Sequence, residues 1–323
     1  MIVHALPPRA LEALVVTGIT VLVILSCSST AAAHGFAGKR FFPATVATED
    51  PFVADELSLP TVSWRRFGAS EEGPAVRETD FAVDMSKRIT DRLGIGFGAT
   101  YKVLRPGEGD RQSGFDNLEA SVKYQFFTDA GHEAIVSAGV DWDIGGSGTR
   151  RVGAEPFSTI TPAVFFGKGF GDLSEDMRYW RPLALTGSLG VGFPTRSATR
   201  LVDDEGEESV ERHPHTLEWN FALEYSIPYL QSFVKDMGIG APFDRMIPVV
   251  EFAMSTPLDR GRGGTTGTIN PGVLWAGTYA QVSLEAVIPV NDRSGKGVGW
   301  LAQLHFFLDD LFPHSLGRPL VSP

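Results

Sequence analysis

In residues 215–227, His215, Leu217, Trp219, Phe221, Leu223, Tyr225 and Ile227 alternate with Thr216, Glu218, Asn220, Ala222, Glu224 and Ser226. A period of two suits a strand with one apolar and one polar face, and a helix cannot use it. The pattern recurs where Leu93, Ile95, Phe97, Ala99, Tyr101 and Val103 alternate with Gly94, Gly96, Gly98, Thr100 and Lys102. It recurs at 118–126, where Leu118, Ala120, Val122, Tyr124 and Phe126 interleave with Glu119, Ser121, Lys123 and Gln125. In 134–144, Ala134, Val136, Ala138, Val140, Trp142 and Ile144 oppose Ser137, Gly139, Asp141 and Asp143.

Eight less regular stretches complete the parse: 59–67, 77–89, 158–170, 181–193, 245–256, 267–276, 280–290 and 298–308. Pro162, Pro248, Pro271 and Pro289 fall inside four of them, where a missing N–H marks bulges or rims. Short turns near 90–92, 129–131 and 277–278 alternate with long polar connections at 105–114, 145–157, 194–214, 257–266 and 291–297. Tight turns at one end and large loops at the other are the asymmetry of an antiparallel transmembrane β-barrel. The expected architecture is therefore all-β: a barrel of about twelve strands over 58–310, with a tail at 311–323. Residues 34–57 have no clear period and form an irregular N-terminal segment that could plug the lumen. On the short-turn side, 171–180 reads as a loop. In 228–243, Leu230, Phe233, Val234 and Met237 are spaced for one short amphipathic helix.

A soluble β-sandwich would also alternate, so the polar face matters. Lys102, Glu119, Lys123, Asp141, Asp143, Glu218, Glu224 and Glu285 all fall on the polar side of their strands, and we assign them to the lumen wall. Trp64, Tyr101, Tyr124, Trp142, Tyr179, Trp180, Trp219, Tyr225, Trp275, Tyr279 and Trp300 lie near strand ends, where an interfacial aromatic girdle belongs.

The N-terminus explains how such a chain reaches a membrane. Arg9 precedes an apolar run from Leu11 to Leu25 and the small residues Ala31-Ala32-Ala33. This reads as a secretory signal over 1–33, with His34 the first mature residue. A membrane anchor and lipidation at Cys27, the one cysteine, are the competing readings. The chain has 28 basic and 39 acidic residues among 323, a net charge of −11. That balance, without a basic cluster, argues against a nucleic-acid partner. Asp203, Asp204, Glu205, Glu207, Glu208 and Glu211 crowd one loop, which reads as solvated, with divalent-cation capture as the sharper alternative.

Candidate chemistry is sparse. His213 and His215 flank Pro214 on one side of an extended segment beside that acidic loop, and a mature N-terminal His34 could chelate copper. These are weak metal candidates, and no metal or other cofactor is assigned. No Gly-x-Ser-x-Gly elbow occurs, and the Gly-rich stretches 145–148 and 261–267 do not lead from a strand into a helix. No catalytic residue is assigned.

The last strand, Gly299-Trp300-Leu301-Ala302-Gln303-Leu304-His305-Phe306, is similar to the closing signal that outer-membrane barrels present to their assembly machinery, although the chain continues beyond it. Signal, irregular segment, about twelve strands and closing strand together resemble the outer-membrane barrels of the phenol-degradation meta-pathway family, distant relatives of the long-chain fatty-acid channels. That resemblance covers most of 59–310 and implies passage of small, often hydrophobic or aromatic molecules. The expectation is a monomeric outer-membrane channel, embedded in lipid, with a small-molecule solute. The alternative is a structural or surface-interaction barrel with a blocked lumen.

Overall fold

The computed structural model describes residues 35–69, 74–202, 208–259 and 263–321. The readings of a signal over 1–33, of Cys27, of His34 and of the acidic residues Asp203, Asp204, Glu205 and Glu207 lie outside the described residues.

Twelve antiparallel strands form one closed wall: β1 (Glu56–Phe67), β2 (Val76–Arg88), β3 (Leu93–Pro106), β4 (Leu118–Asp129), β5 (Ala134–Ile144), β6 (Thr159–Gly169), β7 (Leu183–Pro194), β8 (Thr216–Tyr225), β9 (Met246–Pro257), β10 (Thr266–Ala276), β11 (Ala280–Pro289) and β12 (Gly299–Phe307). Each pairs with the next, and β12 pairs with β1 through Trp300↔Trp64 and His305↔Ser58, so no barrel strand is left as an edge. No described helix is long and apolar enough to cross a membrane, which leaves a strand crossing untouched.

Residues paired across two strands share a face, so the register sorts the side chains. Phe81, Val83, Met85, Phe97, Val122, Val140, Trp142, Val164, Leu189, Leu223, Val282 and Leu284 point outward and are exposed. Asp80, Ser137, Thr186, Ser188, Glu224, Glu251, Asn270, Gln281, Ser283, Glu285, Gln303 and His305 point inward and are buried. An apolar exterior around a polar interior inverts a soluble protein and matches a barrel wall set in lipid.

Departures from ideal pairing occur where the sequence breaks its own rule. The β6–β7 register lapses between Ala163↔Gly190 and Ile160↔Phe193, beside Pro162, and the β10–β11 register lapses between Ile269↔Ile288 and Gly272↔Glu285, beside Pro271. Leu59 and Pro60 lie in a bulge between Ser58↔Asp84 and Thr61↔Ala82, where no ladder donor is needed. A further bulge between Gln125 and Phe127 turns both Phe126 and Phe127 outward, and β4 continues beyond it to Asp129.

The connections at 89–92, 130–133 and 277–279 mark the turn end, which also receives both ends of the barrel chain. At this end the helical run is shorter than its spacing suggested: it spans Ile227–Tyr229 and a wide turn over Leu230–Val234, and then Lys235 becomes extended. Asp236 accepts from Gly238 N at 2.8 Å, so a side-chain turn replaces the next helical turn. Met237 is left exposed, off the helix. Residues 171–180 contain short 3-10 turns over Glu175–Trp180.

Residues 35–55 lie against inward residues of at least eight of the twelve strands. Val46, Ala47 and Thr48 donate backbone N–H groups to Glu251 on β9 at 2.8, 2.9 and 2.7 Å. Gln281 on β11 donates to Ala44 O at 2.6 Å, Ser137 on β5 to Pro51 O at 2.5 Å, and Ser86 on β2 to Ala54 O at 2.9 Å. Lys123 Nζ on β4 donates to Asp50 O at 2.8 Å. Apolar contacts accompany them: Ala37, Phe42 and Phe52 pack with Ile135 and Ala184, while Phe41 and Val46 pack on Ala222, Ile247, Val249 and Leu274. The turn-end part of the lumen thus carries apolar patches beside buried charges, and the segment covers both. Gly38 marks the tightest approach, with φ of +63° and an added Cβ falling 2.1 Å from Ala130 O, a position open only to glycine.

Candidate functional site

Between the covered turn end and the loop end the lumen holds a cavity of about 510 Å³. Its wall carries Glu49 and Asp50 of the N-terminal segment, Glu56 on β1, Asp84 on β2, Glu119 and Lys123 on β4, Asp141 and Asp143 on β5, and His305 on β12. Asn220, Gln303, Thr159 and Thr161 add to the polar lining, with Ser58, Ser86, Ser121, Thr45 and Thr48. The carboxylates adjoin because the register makes them neighbours: Glu119↔Asp143 across β4–β5, and Asp84↔Gly98↔Glu119 across β2, β3 and β4. Gly98 is what lets the last two converge, since a Cβ there would sit 2.8 Å from Asp84 Oδ1 and 3.3 Å from the Glu119 side chain.

Seven carboxylates thus face one lysine among the described residues of this wall. Lys123 is already committed, 3.3 Å from Glu49 and 4.2 Å above the Phe165 ring. Burial, then the nearby Glu56 charge, pushes the Asp50 carboxyl up to about 6, with Lys123 opposing. His305 holds Ser58 Oγ through Nδ1 at 2.9 Å and lies 3.7 Å from Glu56 through Nε2. A serine and a histidine are therefore in contact, but they sit in a chamber whose charge repels a developing oxyanion.

All eight residues assigned to the lumen wall from the sequence share the inward face, and the chamber gathers four of them: Glu119, Lys123, Asp141 and Asp143. The other four sit elsewhere. Lys102 forms an ion pair with Asp116 towards the loop end, and Glu218 accepts from Ser255 Oγ at 2.8 Å. Glu224 accepts from Thr186 Oγ1 at 3.3 Å near the turn end, and Glu285 is buried opposite Gly272. Asp84 joins the four in the chamber, and its signal is the alternation of Phe81, Val83 and Met85 with Asp80, Ala82 and Asp84, a stretch less regular than the four clearest strands. Glu49 and Asp50 had no periodic signal.

The histidine pair is not brought into one site. His213 Nε2 meets Thr199 Oγ1 at 2.8 Å and its ring lies 4.1 Å from Phe157. His215 instead lies 3.7 Å from Asp259, its ring 5.4 Å from Phe193. Pro214 separates them at the entry to β8, where the chain leaves the loop, so each finds a different neighbour.

No protein-family model matches the chain, and no curated protein matches it. Among solved structures, an outer membrane channel from Pseudomonas putida F1 is 10% identical with a TM-score of 0.50, covering 86% of this chain and 99% of that one. The porin NanC is 11% identical with a TM-score of 0.45, covering 77% and 98%. The translocator domain of the autotransporter NalP from Neisseria meningitidis is 8% identical with a TM-score of 0.45, covering 79% and 89%. At such identities the likeness is one of fold: a closed antiparallel barrel.

Proposed function

We propose that this chain is a monomeric outer-membrane channel for small water-soluble cations, with residues 35–55 as a plug at its turn end. The observation that carries this reading is the chamber, where seven carboxylates outnumber a single lysine that is itself ion-paired. Low-dielectric walls focus such a field and concentrate counter-ions inside. The outward apolar band supports residence in outer-membrane lipid, and self-closure through β12–β1 supports a single chain. An aromatic solute fits this lining best when it carries a positive charge, because an uncharged apolar solute gains nothing from the carboxylates and must displace their water.

The test is the reversal potential of the purified protein in a planar bilayer under a KCl gradient. We expect cation selectivity, reduced in D141N and E119Q; anion preference, or a ratio unchanged by both substitutions, rejects the reading. The plug itself favours one rival, a sealed barrel whose loops carry its function. Deletion of 35–55 separates the two: a channel gains conductance, whereas a sealed barrel stays silent in both forms.

A further inference from the structure

We propose that Glu155, Glu211 and His213 form a site for a first-row divalent cation of the zinc class, which ties the two longest loop-end connections together. This goes beyond the channel reading and does not depend on it.

One ligand atom from each of the three lies within 4.8 Å of the other two. Ligands around one zinc ion stand roughly 3.3–4.2 Å apart, given metal–ligand bonds of about 2.0–2.1 Å, so side-chain adjustments of about 1 Å complete the site. The residues come from different loops. Glu155 belongs to the β5–β6 connection, while Glu211 and His213 lie at the end of a hairpin (Ala198–Val202 with Glu208–Arg212) in the β7–β8 connection. Each is held by its backbone, which leaves the side chains for other work. Glu155 O accepts from Gly146 N at 2.8 Å and Asn117 Nδ2 at 3.0 Å, and His213 N donates to Ser197 O at 3.0 Å.

The imidazole distinguishes this group from an ordinary acidic loop. Thr199 engages Nε2 and Phe157, itself buried, flanks the ring, so His213 is oriented by its surroundings with Nδ1 as the remaining nitrogen. One nitrogen and two carboxylate oxygens select a borderline metal; calcium and magnesium favour all-oxygen sites. Three protein ligands leave water in the remaining position.

The experiment uses the folded protein in detergent, titrated with ZnCl2 by calorimetry. Saturable binding of one zinc per chain is expected, weakened at least about tenfold in H213A and in E211Q, an exposed position whose loss leaves the barrel intact. H132Q, at the opposite end, should bind as the parent does. Zinc should also slow proteolysis within 195–215 in the parent but not in E155Q, where the missing ligand sits on the other loop. Absence of saturable binding, parental affinity in H213A, or equal protection in E155Q overturns the proposal.

Discussion

Thr48 donates twice to one oxygen of Glu251, from its backbone N–H at 2.7 Å and from Oγ1 at 2.9 Å. With Val46 and Ala47 adding their own N–H groups, an inward carboxylate of the wall becomes the anchor of the N-terminal segment. E251A leaves four donors without their acceptor and should cost seating of the segment about 3 kcal/mol. Limited proteolysis should then cut within 35–55 while the barrel keeps its heat-modifiable gel migration; unchanged protection would remove Glu251 from this role.

Arg40 is wholly buried, with its guanidinium 3.2 Å from Glu133 Oε2 and 3.8 Å from the Tyr229 ring, and it donates to the carbonyls of Arg181 and Pro182. R40A should destabilise the folded protein by about 3 kcal/mol, because the Glu133 charge stays buried with, among the described residues, Gly171 N and the Tyr229 hydroxyl as its remaining donors. R40K should recover little of it, since an ammonium cannot span the fork. Urea unfolding in detergent compares the three.

Asp50 supplies a pH dependence with a definite sign. Its carboxyl is pushed up to about 6 from an ordinary value near 3.8, so the folded state favours the protonated form. The cost of charging it is full above pH 6 and is progressively relieved as pH falls towards 4, reaching at most about 3 kcal/mol. D50N should therefore be more stable than the parent at pH 7.5, and the gap should close by about pH 4. Thermal unfolding across that range measures it, and a gap independent of pH would contradict the assignment.

Leu189 on β7 and Val164 on β6 face each other on the outer surface, 54% and 47% exposed. L189R places a charge in the lipid band and should cost about 2–4 kcal/mol of folding into vesicles. The inward neighbour Ser188 provides the contrast: S188N should fold with much smaller loss. Equal losses at both positions would mean that the outer face is not in lipid.

Strand-by-strand, the barrel was visible wherever the wall meets lipid on one side and water on the other. Leu217, Trp219, Phe221 and Leu223 alternate with Glu218, Asn220 and Ala222 because those two solvents lie on opposite faces. Where the inner face meets protein instead, alternation fades: Ile247 and Val249 on β9 point inward yet are apolar, since Phe41 and Val46 cover them. The helical run in 228–243 forms but stops short of Met237 for a local reason, the competing turn at Asp236–Gly238.

The sequence alone determined the strand pattern, the side of each strand on which Glu119, Asp141 and Asp143 lie, and the placing of long and short connections. These follow from period, polarity and turn chemistry, which act over a few neighbouring residues. Only the tertiary structure decided that Asp84 and Glu119 share a chamber across Gly98, that Thr48 caps Glu251, and that Glu155 meets His213. Those relations arise from ring closure and from an aperiodic segment threaded into the lumen. They join residues up to about two hundred positions apart, a distance over which local alternation carries no information.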